Sequence, residues 1–203
     1  MKTIYIIKLA TLAILIFTSL YASGQKYNAL NRVGSRDTVG SAHAVIYGNF
    51  IQRLGFSSGG FPQEIRLLNN ETNELICFRV KATFKSSRQN EFAYFIPPGT
   101  YTILNYWWTK SKWYGGEVFT EPIFKGIDTS DKFEKRINSG QITRDDLIQF
   151  RFSVAAGTIN YLGTWHFEKG LVAFADDKSE FDDLVRGHYK GLDFTTANVV
   201  LPN

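Results

Sequence analysis

From His43 onward the chain alternates apolar and polar residues with a period of two. In "ELICFRVKATF" (74–84), Ile76, Phe78, Val80, Ala82 and Phe84 fall on one side, with Cys77, Arg79, Lys81 and Thr83 on the other. "LIQFRFSV" (147–154) repeats the pattern, setting Ile148, Phe150, Phe152 and Val154 against Gln149, Arg151 and Ser153. In "TINYLGTWHF" (158–167), Ile159, Tyr161, Trp165 and Phe167 oppose Asn160, Thr164 and His166. Such alternation marks strands with one face on a core and one in water, as antiparallel sheets have. Turn residues separate the strands. "LNNETNE" (68–74) is one cluster, and Pro98-Gly99 joins the fixed φ of proline to the positive φ that glycine accepts. About eight or nine strands between 43 and 175 predict a mainly β chain, an antiparallel β-sandwich.

Two stretches switch to helical spacing. "DDKSEFDDLVRG" (176–187) predicts a helix near 177–187, with Asp177 and Glu180 at capping-box spacing, an apolar stripe of Phe181, Leu184 and Val185, and Gly187 as its stop. "DTSDKFEKRINSGQ" (128–141) predicts a second, with Phe133 and Ile137 one turn apart and Gly140 beyond.

The N-terminus follows neither period. Lys2 and Lys8 precede an apolar run from Leu9 to Leu20, and Ala22 and Gly24 follow at the spacing a signal peptidase reads. The run is shorter than the roughly 20 residues that span a bilayer. Residues 1–24 are therefore expected to be a cleaved signal peptide rather than an anchor, and the protein to be exported, periplasmic or secreted. Residues 25–41 are polar with scattered glycine and predict a poorly ordered leader, and 42–203 a single domain. Losing Lys2 and Lys8 takes the net charge from +4 to +2, so nothing suggests a nucleic-acid surface. Cys77 is the sole cysteine, which excludes an internal disulfide, and it lies far from the cleavage point, so a lipid anchor on a new N-terminal cysteine is not expected.

Candidate chemistry is sparse. "GFSSG" (55–59) fits the G-x-S-x-G pattern with Ser57 as nucleophile, but Gly60, Pro62 and a strand follow where that motif needs a helix. His43, His166 and His188 are far apart, which argues against a metal site. Asp176, Asp177, Glu180, Asp182 and Asp183 lack the spacing of a calcium loop and read as helix-start and solvated acids. No catalytic residue, metal or cofactor is expected. "YWWTKSKWYGG" (106–116) is the remaining candidate. Alternation places Tyr101, Ile103, Asn105 and Trp107 on one face and Thr102, Leu104, Tyr106 and Trp108 on the other, with Trp107 the expected core aromatic and "TKSK" (109–112) a hairpin tip. Trp108, Lys110, Lys112, Trp113 and Tyr114 then form a candidate ligand-binding surface.

"IPPGTYTIL" (96–104) resembles the strand entry of carboxypeptidase-regulatory-like and transthyretin-like sandwich domains. "FSVAAGTINYLGTWHF" (152–167) is similar to a segment of small exported bacterial proteins of that general shape. The resemblance implies a non-enzymatic domain and carries no fixed site residues. The expected function is an exported binding or cell-envelope interaction module whose partner is an envelope protein or glycan, with no stable membrane insertion. The alternative is a hydrolase of envelope polysaccharide or peptide.

Overall fold

A computed structural model of the chain describes residues 27–51, 63–80, 89–112, 115–124, 138–141, 150–167 and 171–203, with backbone alone at 63, 89, 108–112 and 115–119. The expected signal segment 1–24, "GFSSG", Trp113, Tyr114 and most of the stretch 128–141, where a helix is expected, lie outside the described residues. The strands are β1 (Asn28–Ala29), β2 (Ala44–Ile51), β3 (Gln63–Asn69), β4 (Leu75–Val80), β5 (Gln89–Ile96), β6 (Gly99–Lys112), β7 (Gly115–Pro122), β8 (Arg151–Val154), β9 (Ile159–His166), β10 (Ala173–Ala175) and β11 (Asn198–Val199). Helix α1 spans Lys178–Val185, and a 3-10 turn spans Phe194–Thr196.

The protein is mainly β. One sheet runs β1-β4-β3-β6-β7, with β8 lying along the same edge of β6 as β7. The other runs β10-β9-β2-β5, with β11 beside β10 on the free edge of β9. Their facing sides share one cluster that includes Ile46, Phe50, Ile65, Leu67, Phe78, Phe92, Tyr101, Ile103, Phe152 and Trp165. Trp165 is fully buried and donates its indole N–H to the Leu162 carbonyl at 2.8 Å. It packs edge-on to Phe78, Phe92 and Phe174, the offset geometry aromatic rings prefer.

The expected antiparallel pattern is corrected in three places: β1–β4, β2–β9 and β9–β11 are parallel. Parallel strands belong in sheets covered on both faces, and the second sheet is covered so. Its far side carries Val45, Tyr47, Ala93, Ile159 and Tyr161 under Phe181, Val185, Tyr189, Leu192 and Phe194 of the C-terminal segment. Residues 44 to 50 of β2 are consequently all buried.

A bulge lets β9 serve both layers. Tyr47 pairs with Tyr161 and Asn49 with Thr164, so Gly48 alone opposes Leu162 and Gly163. Ile159 and Tyr161 therefore face the C-terminal layer, whereas Leu162, Trp165 and Phe167 face the other sheet. Strict alternation put Ile159, Tyr161, Trp165 and Phe167 together, and the extra residue corrects this. Gly163 has φ 89, and a Cβ there would sit 2.9 Å from the Ala175 carbonyl oxygen and 2.7 Å from a Leu201 methyl.

Helix α1 forms as expected, but its details differ. Asp177 is the N-cap by position, yet its backbone, at φ −107 and ψ 27, is not in the extended region usual for a cap and its side chain accepts no capping bond. Asp176 accepts from the Lys178 amide instead, at 3.2 Å. Phe181 and Val185 are buried, but Leu184 is 55% exposed and drops out of the stripe. Where the leader is described, β1 pairs with β4, Arg32 bridges to Tyr94, and Val33 is buried.

Phe152→Ala should cost about 3–5 kcal/mol, whereas Arg151→Ala, on the exposed side of β8, should stay within about 0.5 kcal/mol. Urea unfolding with a cost at Arg151 equal to that at Phe152 would reject the register of β8. Gly157, with φ 72, has only Ser41 Cα at 4.0 Å from a built Cβ. Gly157→Ala should therefore cost only the left-handed penalty of roughly 1–2 kcal/mol, and Gly163→Ala more. Equal costs at the two glycines would reject the crowding at the bulge.

Candidate functional site

The aromatic stretch sits where β6 leaves the first sheet. Ile65 pairs with Tyr106 and Arg66 with Asn105, but the next residue, Leu67, pairs with Ile103, so Leu104 is an extra residue on β6. Beyond this bulge the faces exchange. Tyr106 is fully buried in the inner cluster, and its hydroxyl donates to Glu121 Oε2 at 2.6 Å. Desolvation, then the Glu121 carboxylate, hold this phenol in its protonated form. Trp107 is half-buried and stands in register with Glu64 on one side and Thr120 on the other. The expectation that Trp107 is the core aromatic is thus corrected to Tyr106.

The hairpin is longer than expected. Lys110 pairs with Glu117 and Lys112 with Gly115, so "TKSK" is strand rather than tip, and the connection is residues 113–114. Pairing through Lys112 stops Lys110 and Lys112 from being turn residues. Trp108, opposite Phe119, and both lysines are placed by backbone register alone, while Trp113 and Tyr114 lie outside the described residues. Among the described residues, β3 pairs with β6 only as far as Trp107. From Trp108 to Lys112 the strand has β7 on one edge and no described strand on the other.

Outward from the core, the first sheet carries a charged group around Glu64. Its carboxylate lies 3.4 Å from Arg66 Nε and 4.0 Å from Arg79 Nε, and the Arg66 guanidinium stacks 4.5 Å above the Tyr27 ring. Cys77, in register with Arg66, is 4% exposed. Burial, reinforced by Glu64, pushes its thiol up to about 11.

Two open clefts lie elsewhere on the described surface. One, about 480 Å³, is walled by Asn28–Asn31 of the leader with Ile76, Phe95 and Pro97 at its apolar side and His43 and Glu74 at its rim. The other, about 560 Å³, lies at the start of α1 beside Asp176, Asp177 and Asp182. These acids do not act together. Asp182 is buried, accepts from Tyr47 Oη at 2.7 Å and is paired with Lys178, whose ammonium also reaches the Phe194 carbonyl at 2.8 Å. Asp183 is exposed and lies 3.7 Å from Arg186. His188 contacts Glu91 at 2.8 Å, far from His43 in its cleft. Among the described residues no group of three or more His, Cys, Asp or Glu side chains could hold a metal ion, and no helix is long and apolar enough to cross a membrane.

No family model and no curated protein matches the chain. A solved leucine-rich repeat protein from Bacteroides thetaiotaomicron is similar at 11% identity and a TM-score of 0.37, over 72% of this chain and 16% of that one. At that score the likeness carries no argument.

Tyr106→Ala should cost about 3–5 kcal/mol, with Trp107→Ala clearly milder; the reverse order in urea unfolding would reject the bulge at Leu104. The Cys77 shift gives a pH prediction. The folded thiol lies above the ordinary value of 9.0, so the unfolded chain sheds its proton first as pH rises. Stability from this group is present below pH 9 and lost between pH 9 and about 11. Cys77→Ala should flatten that window, and native Cys77 should resist alkylation at neutral pH. An unchanged pH slope in Cys77→Ala would reject the assignment.

Proposed function

We propose that the protein is an exported, non-enzymatic sandwich module that binds an envelope glycan or protein through the β6–β7 ribbon. This includes the kinship with carboxypeptidase-regulatory-like and transthyretin-like domains implied by "IPPGTYTIL". The observation that carries the reading is the ribbon itself. Among the described residues, Trp108–Lys112 lies past the last β3 partner and pairs with β7 alone, and its sequence is rich in aromatic and lysine residues. Aromatic faces suit sugar rings and protein contacts, and neighbouring ammonium groups add polar recognition. Trp108, Lys110, Lys112, Trp113 and Tyr114 are the residues proposed to contact the ligand.

Binding of the mature protein to peptidoglycan, envelope polysaccharides and lipid vesicles tests this, with Trp108→Ala and Trp113→Ala measured beside it. At least one variant should unfold as the parent does while losing about tenfold in affinity, or about 1.4 kcal/mol. If both are destabilised by several kcal/mol and neither alters binding, the stretch is packing and the proposal fails. Release of sugar or peptide fragments that Ser57→Ala abolishes in a folded protein would establish the hydrolase instead.

A further inference from the structure

The leader crosses the gap between the two sheets, using one short segment to cover an edge of each. At one end Asn28 and Ala29 pair in parallel with Ile76 and Cys77, and the Leu30 amide donates to the Cys77 carbonyl at 2.8 Å. Asn28 also donates to Glu74 Oε1 at 2.7 Å. Two residues on, the chain has reached the other sheet. Phe95 donates to the Asn31 carbonyl at 2.9 Å, and the Val33 amide donates to the Ala93 carbonyl at 3.0 Å. Leu30 packs against the inner cluster and Val33 enters the outer one, so consecutive apolar side chains plug two layers. Without this segment both strand edges present unpaired main chain, the condition that recruits another strand.

We propose that the seam between β4 and β5 is a strand-exchange site, and that a second copy of this chain supplies residues 27–39 to it. The leader itself shows what fits: an extended segment with an apolar residue three positions before another. Among the described residues its contacts include main-chain pairings and apolar packing that a second copy makes equally well. The attachment to the body is suited to exchange. Gly40, Ser41 and Ala42 are exposed, and a Cβ on Gly40 would meet no atom within 4 Å, whereas β2 is buried from Ala44 onward. The cleft along Asn28–Asn31 extends to Gly40 and His43, which gives the leader an open side along which to leave, withdrawing Leu30 and Val33 from the two clusters as it goes. Exchange of an identical element conserves every contact of the monomer and leaves only the connecting residues to decide the balance. This site is separate from the β6–β7 ribbon and does not rest on its role.

The register provides a reporter, because Ala29 stands opposite the chain's sole cysteine, Cys77. Ala29→Cys in the full chain should form a 29–77 disulfide with a small diffusible oxidant at alkaline pH, conditions that reach and ionise the buried Cys77 thiol. Equal amounts of isotopically light and heavy protein are mixed, incubated across a range of concentrations, then oxidised and digested. The 29–77 link should be within one chain at low concentration. A mixed light–heavy link should grow in proportion to protein concentration, as a bimolecular exchange requires. Links that stay within one chain at every concentration overturn the exchange. The absence of any 29–77 link overturns the placement of the leader, and equal dimer formation by the chain bearing Cys77 alone overturns the reporter and the proposal with it.

Discussion

Burying both faces of β2 and β9 leaves no side of the second sheet for water, so each polar group there needs an internal partner. Several of these groups find partners, some close in sequence and some across the layers. Asn160 donates to the Val45 carbonyl and to Thr158, Tyr161 meets Thr164, and Tyr47 reaches Asp182. Asp182 would be a costly buried charge by itself. Lys178, one helical turn away, neutralises it and ties the helix to the Phe194 carbonyl. Helix α1 is therefore a fixed lid on the sheet, and the acidic "DD" that opens the stretch and the "DD" inside it have different tasks.

The strands, the turns and the C-terminal helix were legible in the residues because each follows a local rule. Ile76, Phe78 and Val80 are buried with Arg79 exposed, and Phe152 and Val154 are buried with Arg151 and Ser153 exposed. At "LNNETNE", Asn69 accepts from the amides of Glu71 and Thr72, and Asn73 takes φ 58, the chemistry expected of such a turn. What misled was phase. A bulge adds one residue and inverts every later assignment on that strand. It did so twice, at Gly163 and at Leu104. Both had a trace in the sequence: β9 carries a glycine mid-strand, and β6 becomes apolar on both faces just where the phase changes.

Non-local pairing was not legible. β2 meets β9 across most of the chain, and neither strand's pattern announces a parallel neighbour. The described leader makes main-chain pairings with β4 and β5, which composition does not record. For the candidate site, residue types in "YWWTKSKWYGG" identified the stretch, but the hairpin's length depended on pairing with β7.

The C-terminus mirrors the leader. β11 pairs with β9 of the second sheet, and Asn203 then exchanges two main-chain bonds with Arg151 of the first, at 2.8 and 3.1 Å. The described leader from residue 27 and the C-terminal segment therefore lace opposite flanks of the same gap. Mechanically, tension applied between them does not act first on the aromatic core. It falls on pairings of two residues or fewer at the rim, which have few bonds to share the strain. The ends would peel in sequence, and the central strands would carry force only after both laces had opened.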